Sequence, residues 1–156
     1  MQLDAGYYQK GVLNTMGNYK GKVLLLIDQR ARDVQGILLV SLFLRQMGCK
    51  VFLCNKRNMV QMYEWSQPDV VAFSDTGTYF ADWCRYMSKR SRIVLIPQEG
   101  AITDREFAVN RYTINDTGSA AFTDGVSKVF LWGSQTANWL LEEGVFTQEQ
   151  VVVCGT

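Results

Sequence analysis

Apolar residues along this chain come in short unbroken runs separated by polar turns, and each run is followed by a stretch with helical spacing. Val23–Ile27 is wholly apolar, the pattern of a strand buried on both faces of a sheet, and Asp28-Gln29-Arg30 breaks it. Apolar residues at 37, 38, 40, 42, 43, 44 and 47 then predict a helix over Val34–Met47, with Asp33 as its cap and Gly48 just past its end. The alternation repeats through a strand Lys50–Cys54, a short helix Asn58–Trp65 capped by Asn58, a turn at Ser66–Asp69 and a strand Val70–Phe73. A helix over Tyr79–Lys89 carries aromatic residues at 79, 80, 83 and 86, a stripe that reads as core packing or, less simply, as a sugar platform. Arg92–Ile96 is the next strand, and Pro97, with no N–H for the ladder, stops it.

Residues 101–125 interrupt this rhythm, with room for a short helix around 118–124. A connection of that length inside a domain is usually functional or mobile. Lys128–Trp132 is then a strand, Gln135–Glu143 a helix ended by Gly144, and Gln150–Cys154 the last strand. Residues 1–19 show no clear period and read as a short helix or an arm over the domain.

Strands alternating with helices through short links predict an α/β fold: a three-layer Rossmann-like domain over residues 20–156, with a mainly parallel sheet of about six strands and right-handed crossovers. A Rossmann order of strands is the first expectation and a flavodoxin-like order the second. The last strand has no helix after it, so a second domain or another chain is expected to cover that sheet edge.

Composition narrows the function. The net charge of +1 gives no electrostatic case for nucleic acid as a partner. No apolar run approaches the roughly 18 to 20 residues of a membrane span, and the N-terminus lacks the regions of a signal peptide, so the cytoplasm is the expected compartment. There is no His, and Cys49, Cys54, Cys84 and Cys154 form no Cys-x-x-Cys pair, so neither a metal nor another cofactor is expected. The thiols read as buried and reduced. Without His, a carboxylate is the more plausible general base.

In open α/β sheets, ligands bind outside the carboxyl ends of the strands. The turns at those ends therefore hold the candidates. Gln98, Glu99 and Gly100 follow the fourth strand, and Glu99 there is either a catalytic carboxylate or a solvated turn residue. Asp28, Arg30 and Arg32 follow the first strand; the arginines either meet an anionic ligand at the helix start or pair with Asp28 and Asp33. No Gly-rich phosphate loop is present in this turn, against a conventional dinucleotide site. Asp75 and Thr76 after the third strand either bind hydroxyls or cap a helix. Gly133 after the fifth strand would allow close backbone approach, while Ser134 reads as a helix N-cap without further function.

Three segments resemble a known family. Val129-Phe130-Leu131-Trp132-Gly133, a helix ending at Gly144, and Gln150–Gly155 resemble the N-terminal domain of GT-B glycosyltransferases of bacterial surface-carbohydrate biosynthesis. The Gln98-Glu99-Gly100 turn is similar to a Glu-Gly turn of that family, and Arg30–Asp33 leading into Ile37–Val40 and Gly48 is similar to its first helix. The resemblance implies an acceptor-side domain that moves a sugar from a nucleotide-sugar donor, bound by a second domain absent here, to a glycan or lipid-linked glycan acceptor. It implies Glu99 as general base with Asp28 and Asp75 in reserve, and Gln98, Gly100, Arg30, Arg32, Thr76, Gly133 and Ser134 around the acceptor. Work at the inner face of the membrane as a peripheral protein, and assembly as a homo-oligomer, are compatible with it. A nucleotide-sugar 2-epimerase half and a non-enzymatic flavodoxin-like binding module are the alternatives.

Overall fold

A computed structural model of the chain describes residues 20–74, 80–97, 102, 104–113 and 123–155. Six parallel strands form one sheet: β1 (Gly21–Ile27), β2 (Cys49–Asn55), β3 (Val70–Phe73), β4 (Arg92–Leu95), β5 (Val126–Leu131) and β6 (Val151–Val153). The connecting helices are α1 (Arg30–Gln46), α2 (Met59–Ser66), α3 (Phe80–Met87), α4 (Arg105–Thr113) and α5 (Ser134–Glu142). The expected three-layer α/β architecture is present. The strand order is β2-β1-β3-β4-β5-β6. A Rossmann order would seat β1 between β2 and β4; here β1 lies between β2 and β3, so the flavodoxin-like order, extended by β6, replaces the first expectation.

Topology and chain order together decide where the helices go. From β1 the chain steps outward to β2, and every later crossover steps the opposite way. Right-handed crossovers that step in opposite directions lie on opposite faces. Accordingly α1 packs through Ile37, Val40 and Leu44 on Val23, Leu25 and Ala72. The other four helices pack on the second face, where Leu24, Leu26, Val71, Phe73, Ile93, Leu95, Val129 and Leu131 meet Met59, Tyr63, Cys84, Met87, Tyr112 and Leu140. The period-2 alternation of strand side chains produces both sets from the same apolar runs. Ile93 and Leu95 are fully buried on the crowded face, while Val94 and Ile96 are half-buried on the α1 face.

Several boundaries differ from expectation for local reasons. Helix α1 begins at Arg30 rather than after Asp33. Asp33 lies inside the first turn and reaches back to accept the backbone N–H groups of Asp28 (3.1 Å) and Gln29 (3.0 Å), so it secures the helix start from within. Helix α2 is preceded by a 3₁₀ turn at Lys56–Asn58, and the capping side chain is Asn55, which accepts from the Asn58 N–H, not Asn58 itself. Ser134 is the first residue of α5, and Gly133 holds the N-cap position. Helix α4 lies in the stretch read as a long connection, and the described part of 118–124 is a 3₁₀ turn from Thr123. Only Ala108 and Tyr112 of α4 are buried, too thin a stripe to stand out among Arg105, Glu106, Asn110 and Arg111. Its legible signal was Asp104, whose carboxylate accepts the Phe107 N–H at 2.8 Å as an N-cap does. Gly48, as expected, ends α1 with φ 87°. Of the thiols, Cys54 and Cys84 are buried, Cys49 is half-buried, and Cys154 is exposed, contrary to the reading of four buried thiols: its strand ends at Val153.

Candidate functional site at the carboxyl edge of the sheet

The chain reverses direction across the sheet between β1 and β3, so the crevice at their carboxyl ends is the topological switch point. Asp33 stands in it, buried. Besides the two backbone N–H groups, its carboxylate accepts Arg32 Nε at 2.6 Å and the Ser74 hydroxyl at 3.2 Å. Ser74, the residue after β3, is also within 3.4 Å of the Leu26 carbonyl. Burial pushes the Asp33 pKa up, but the hydrogen bonds from Arg32 and from the Gln29 N–H, the Arg32 charge and the Ser74 hydroxyl outweigh it, and the net pKa is lowered. Asp33 is therefore a buried carboxylate built to stay ionised. The sequence marked it as a cap; what it does at the switch point depends on Ser74, distant in sequence.

Asp28 is joined to it through Arg32. One carboxylate oxygen pairs with Lys56 Nζ at 2.5 Å and the other with Arg32 at 3.3 Å. With both oxygens engaged by cations, Asp28 is an organiser of charge, and a hydroxyl proton would have to displace Lys56 or Arg32 to reach it. Arg32 is likewise committed to Asp28 and Asp33, the pairing that the sequence left as one of two options. Arg30 differs. It opens the 17-residue helix α1, lies exposed, and forms no ion pair among the described residues. With Asp28, Asn55, Asn58 and the apolar walls Val34, Leu53 and Met62 it lines a cavity of ≈ 410 Å³. A helix N-terminus with a free guanidinium beside it attracts anions.

The turn after β5 is further along the same edge. Trp132 is about half exposed, and Gly133 is extended (φ −140°, ψ 155°), with no atom within 4 Å of where a Cβ would sit. Gly155, after β6, is the opposite case: a Cβ there would fall 1.9 Å from the Trp132 carbonyl oxygen. The Cys154 N–H donates to the Leu131 carbonyl at 2.8 Å and holds this approach. Strands β3 and β4 separate the Gly133 and Ser134 turn from Asp28, a lateral distance of roughly 14 Å at the usual strand spacing. Asp28, Arg30 and Arg32 are thus brought together, and Gly133 and Ser134 form a second station on the same edge. Glu99, Gln98, Gly100, Asp75 and Thr76 lie outside the described residues.

A larger cleft of ≈ 900 Å³ opens at the opposite, amino edge, between Lys20, Lys22, Asp69, Lys89, Arg92 and Asp124. It is shaped by strand starts, and Asp69 is used structurally, accepting the Lys22 N–H at 2.7 Å. The switch point and the described candidate turns, Asp28–Arg32 and Gly133-Ser134, are at the other edge, which is the better site despite its smaller volume. Among the described residues, no group of three or more His, Cys, Asp or Glu side chains could hold a metal ion, and no helix is long and apolar enough to cross a membrane. No protein-family model and no curated protein sequence matches the chain.

Proposed function

We propose that the domain binds a glycan acceptor at the carboxyl edge of its sheet and serves as the acceptor-side half of a glycosyltransferase that uses a nucleotide-sugar donor. The observation that carries the reading is spatial. Arg30–Asp33, Trp132-Gly133 and Gly155, residues of segments on which the resemblance rests, end up on one edge of one sheet although they span most of the chain. In this reading Arg30, at the α1 N-terminus, holds a phosphoryl or carboxyl group of the acceptor, and Asn55 and Asn58 face its hydroxyls. Asp28, tied to Lys56 and Arg32, keeps the site rigid, and Glu99, with Asp75 in reserve, takes the acceptor proton.

The test has two arms. Amide NMR titration with a sugar phosphate should shift Gln29–Arg32, and Arg30→Ala should weaken binding at least about tenfold without changing the melting temperature, the size of one charge-assisted contact. In a protein that also contains a donor-binding half, Glu99→Gln should abolish transfer while acceptor binding persists. Shifts confined to the amino edge, or full turnover by Glu99→Gln, would overturn the reading. The strand order favours a second reading, a non-enzymatic flavodoxin-like binding module. That reading expects binding at the same edge with no sugar transfer by any form of the protein.

A further inference from the structure

Helix α1 is apolar on the side away from the sheet as well as on the side that packs. Leu38, Leu39, Leu42, Phe43 and Met47 point outward, with exposures from 44% (Leu38) to 62% (Met47). A helix apolar all round is a buried helix. Topology explains why no described element buries it: the later crossovers all step the other way and belong to the opposite face, and no other helix among the described residues packs beside α1.

We infer that this face of α1 is a two-fold homodimer interface in which α1 packs antiparallel on α1 of a second copy of the chain. The helix is self-complementary in that arrangement. Centred between Val40 and Ser41, antiparallel pairing sets Leu39 against the partner's Leu42, Leu38 against the partner's Phe43, and Gln35 against the partner's Gln46. Apolar residues meet apolar residues, and the amides at the two ends meet each other. Arg45 falls opposite the partner's Gly36, so no like charges are brought together there. Arg32, at the border, is already neutralised by Asp28 and Asp33. The 3- and 4-residue spacings of 35, 38, 39, 42, 43 and 46 form the ridges that helix pairs interdigitate. The outward side chains offer about 500 Å² per copy, so a pair buries on the order of 1,000 Å², the lower bound for a specific interface. The inference does not depend on the proposed function.

Sedimentation equilibrium of the whole chain at tens of micromolar should give twice the 17.7 kDa chain mass. The double substitution Leu39→Glu/Phe43→Glu should raise the dissociation constant at least about 100-fold with an unchanged far-UV spectrum. The milder Leu42→Gln should weaken the dimer in the same direction if the double variant folds poorly. Trp65→Glu, on the exposed surface of α2, should leave the dimer intact. A monomeric parent chain would overturn the inference, its apolar face being covered within the chain or left bare. So would a dimer that survives both α1 variants, which would be built on another surface.

Discussion

The Ser74 hydroxyl donates to Asp33 Oδ2 at 3.2 Å across the crevice between β1 and β3. One carboxylate thereby joins the turn after β1, the first turn of α1 and the end of β3. Asp33→Ala removes a buried acceptor from four donors at once and is expected to cost about 2–4 kcal/mol; Ser74→Ala removes one donor and should cost about 1 kcal/mol. Urea denaturation of the two single variants and the double variant checks both values, and the double should cost less than their sum because the partners are shared.

The same carboxylate sets a pH dependence. Its folded pKa is below the ordinary carboxylate value, so its contribution is complete above the unfolded value and is lost as pH falls through the folded one. Acid titration of stability should show a loss below about pH 4 that Asp33→Asn flattens.

Gly36 occupies the exposed middle of α1, and a Cβ there would meet nothing within 4 Å. Gly36→Ala should stabilise the monomer fold by about 0.5–1 kcal/mol through the unfolded state and helix propensity. Thermal melts of the Leu39→Glu/Phe43→Glu background isolate this effect from association.

Glycines 133 and 155 separate ligand space from packing space. Gly133→Ala should cost no more than about 1 kcal/mol, that of a poorer N-cap, because the backbone is extended and the Cβ site is empty. Any loss of ligand affinity by that variant then reports on the site alone. Gly155→Ala cannot keep the present contact with the Trp132 carbonyl and should release the Cys154 N–H from Leu131, seen as faster hydrogen exchange at Cys154.

Thiol labelling offers an independent check on burial. Cys154 should react with a disulfide reagent in the native state, and Cys54 and Cys84 only as fast as the protein opens. Burial pushes the Cys54 thiol up to about 12 and that of Cys84 higher still, so thiolate is scarce at both.

The strands and most helices were legible because apolar runs such as Val23–Ile27 and Val70–Phe73 leave no other way to bury themselves. The strand order was not, since it depends on which neighbour β1 pairs with, and both choices bury the same residues. Helix α4 was missed because its burial comes from two residues facing α5, here held by Arg105 pairing with Glu142 and Glu143, contacts distant in sequence. The candidate turns follow from the rule for strand ends. The Arg32–Asp28 pair, four residues apart, was one of two readings the sequence offered; what it could not reveal was that Lys56 would take the other oxygen of Asp28, or that Ser74 would join Asp33 as the buried centre. Those facts arise from side chains that meet only once β1, β2 and β3 are adjacent.

Strand β1 is paired with β2 along all seven residues, from Gly21 with Cys49 to Ile27 with Asn55, and the chain between them is α1 itself. Strand β6, in contrast, is matched to β5 over three residues. This asymmetry has a kinetic consequence. The β1–α1–β2 unit closes a short loop for a long ladder, so it is the part expected to form in the rate-limiting step of folding. Substitutions at Leu25 or Ile37 should slow folding, while those at Val151 or Leu140 should chiefly hasten unfolding.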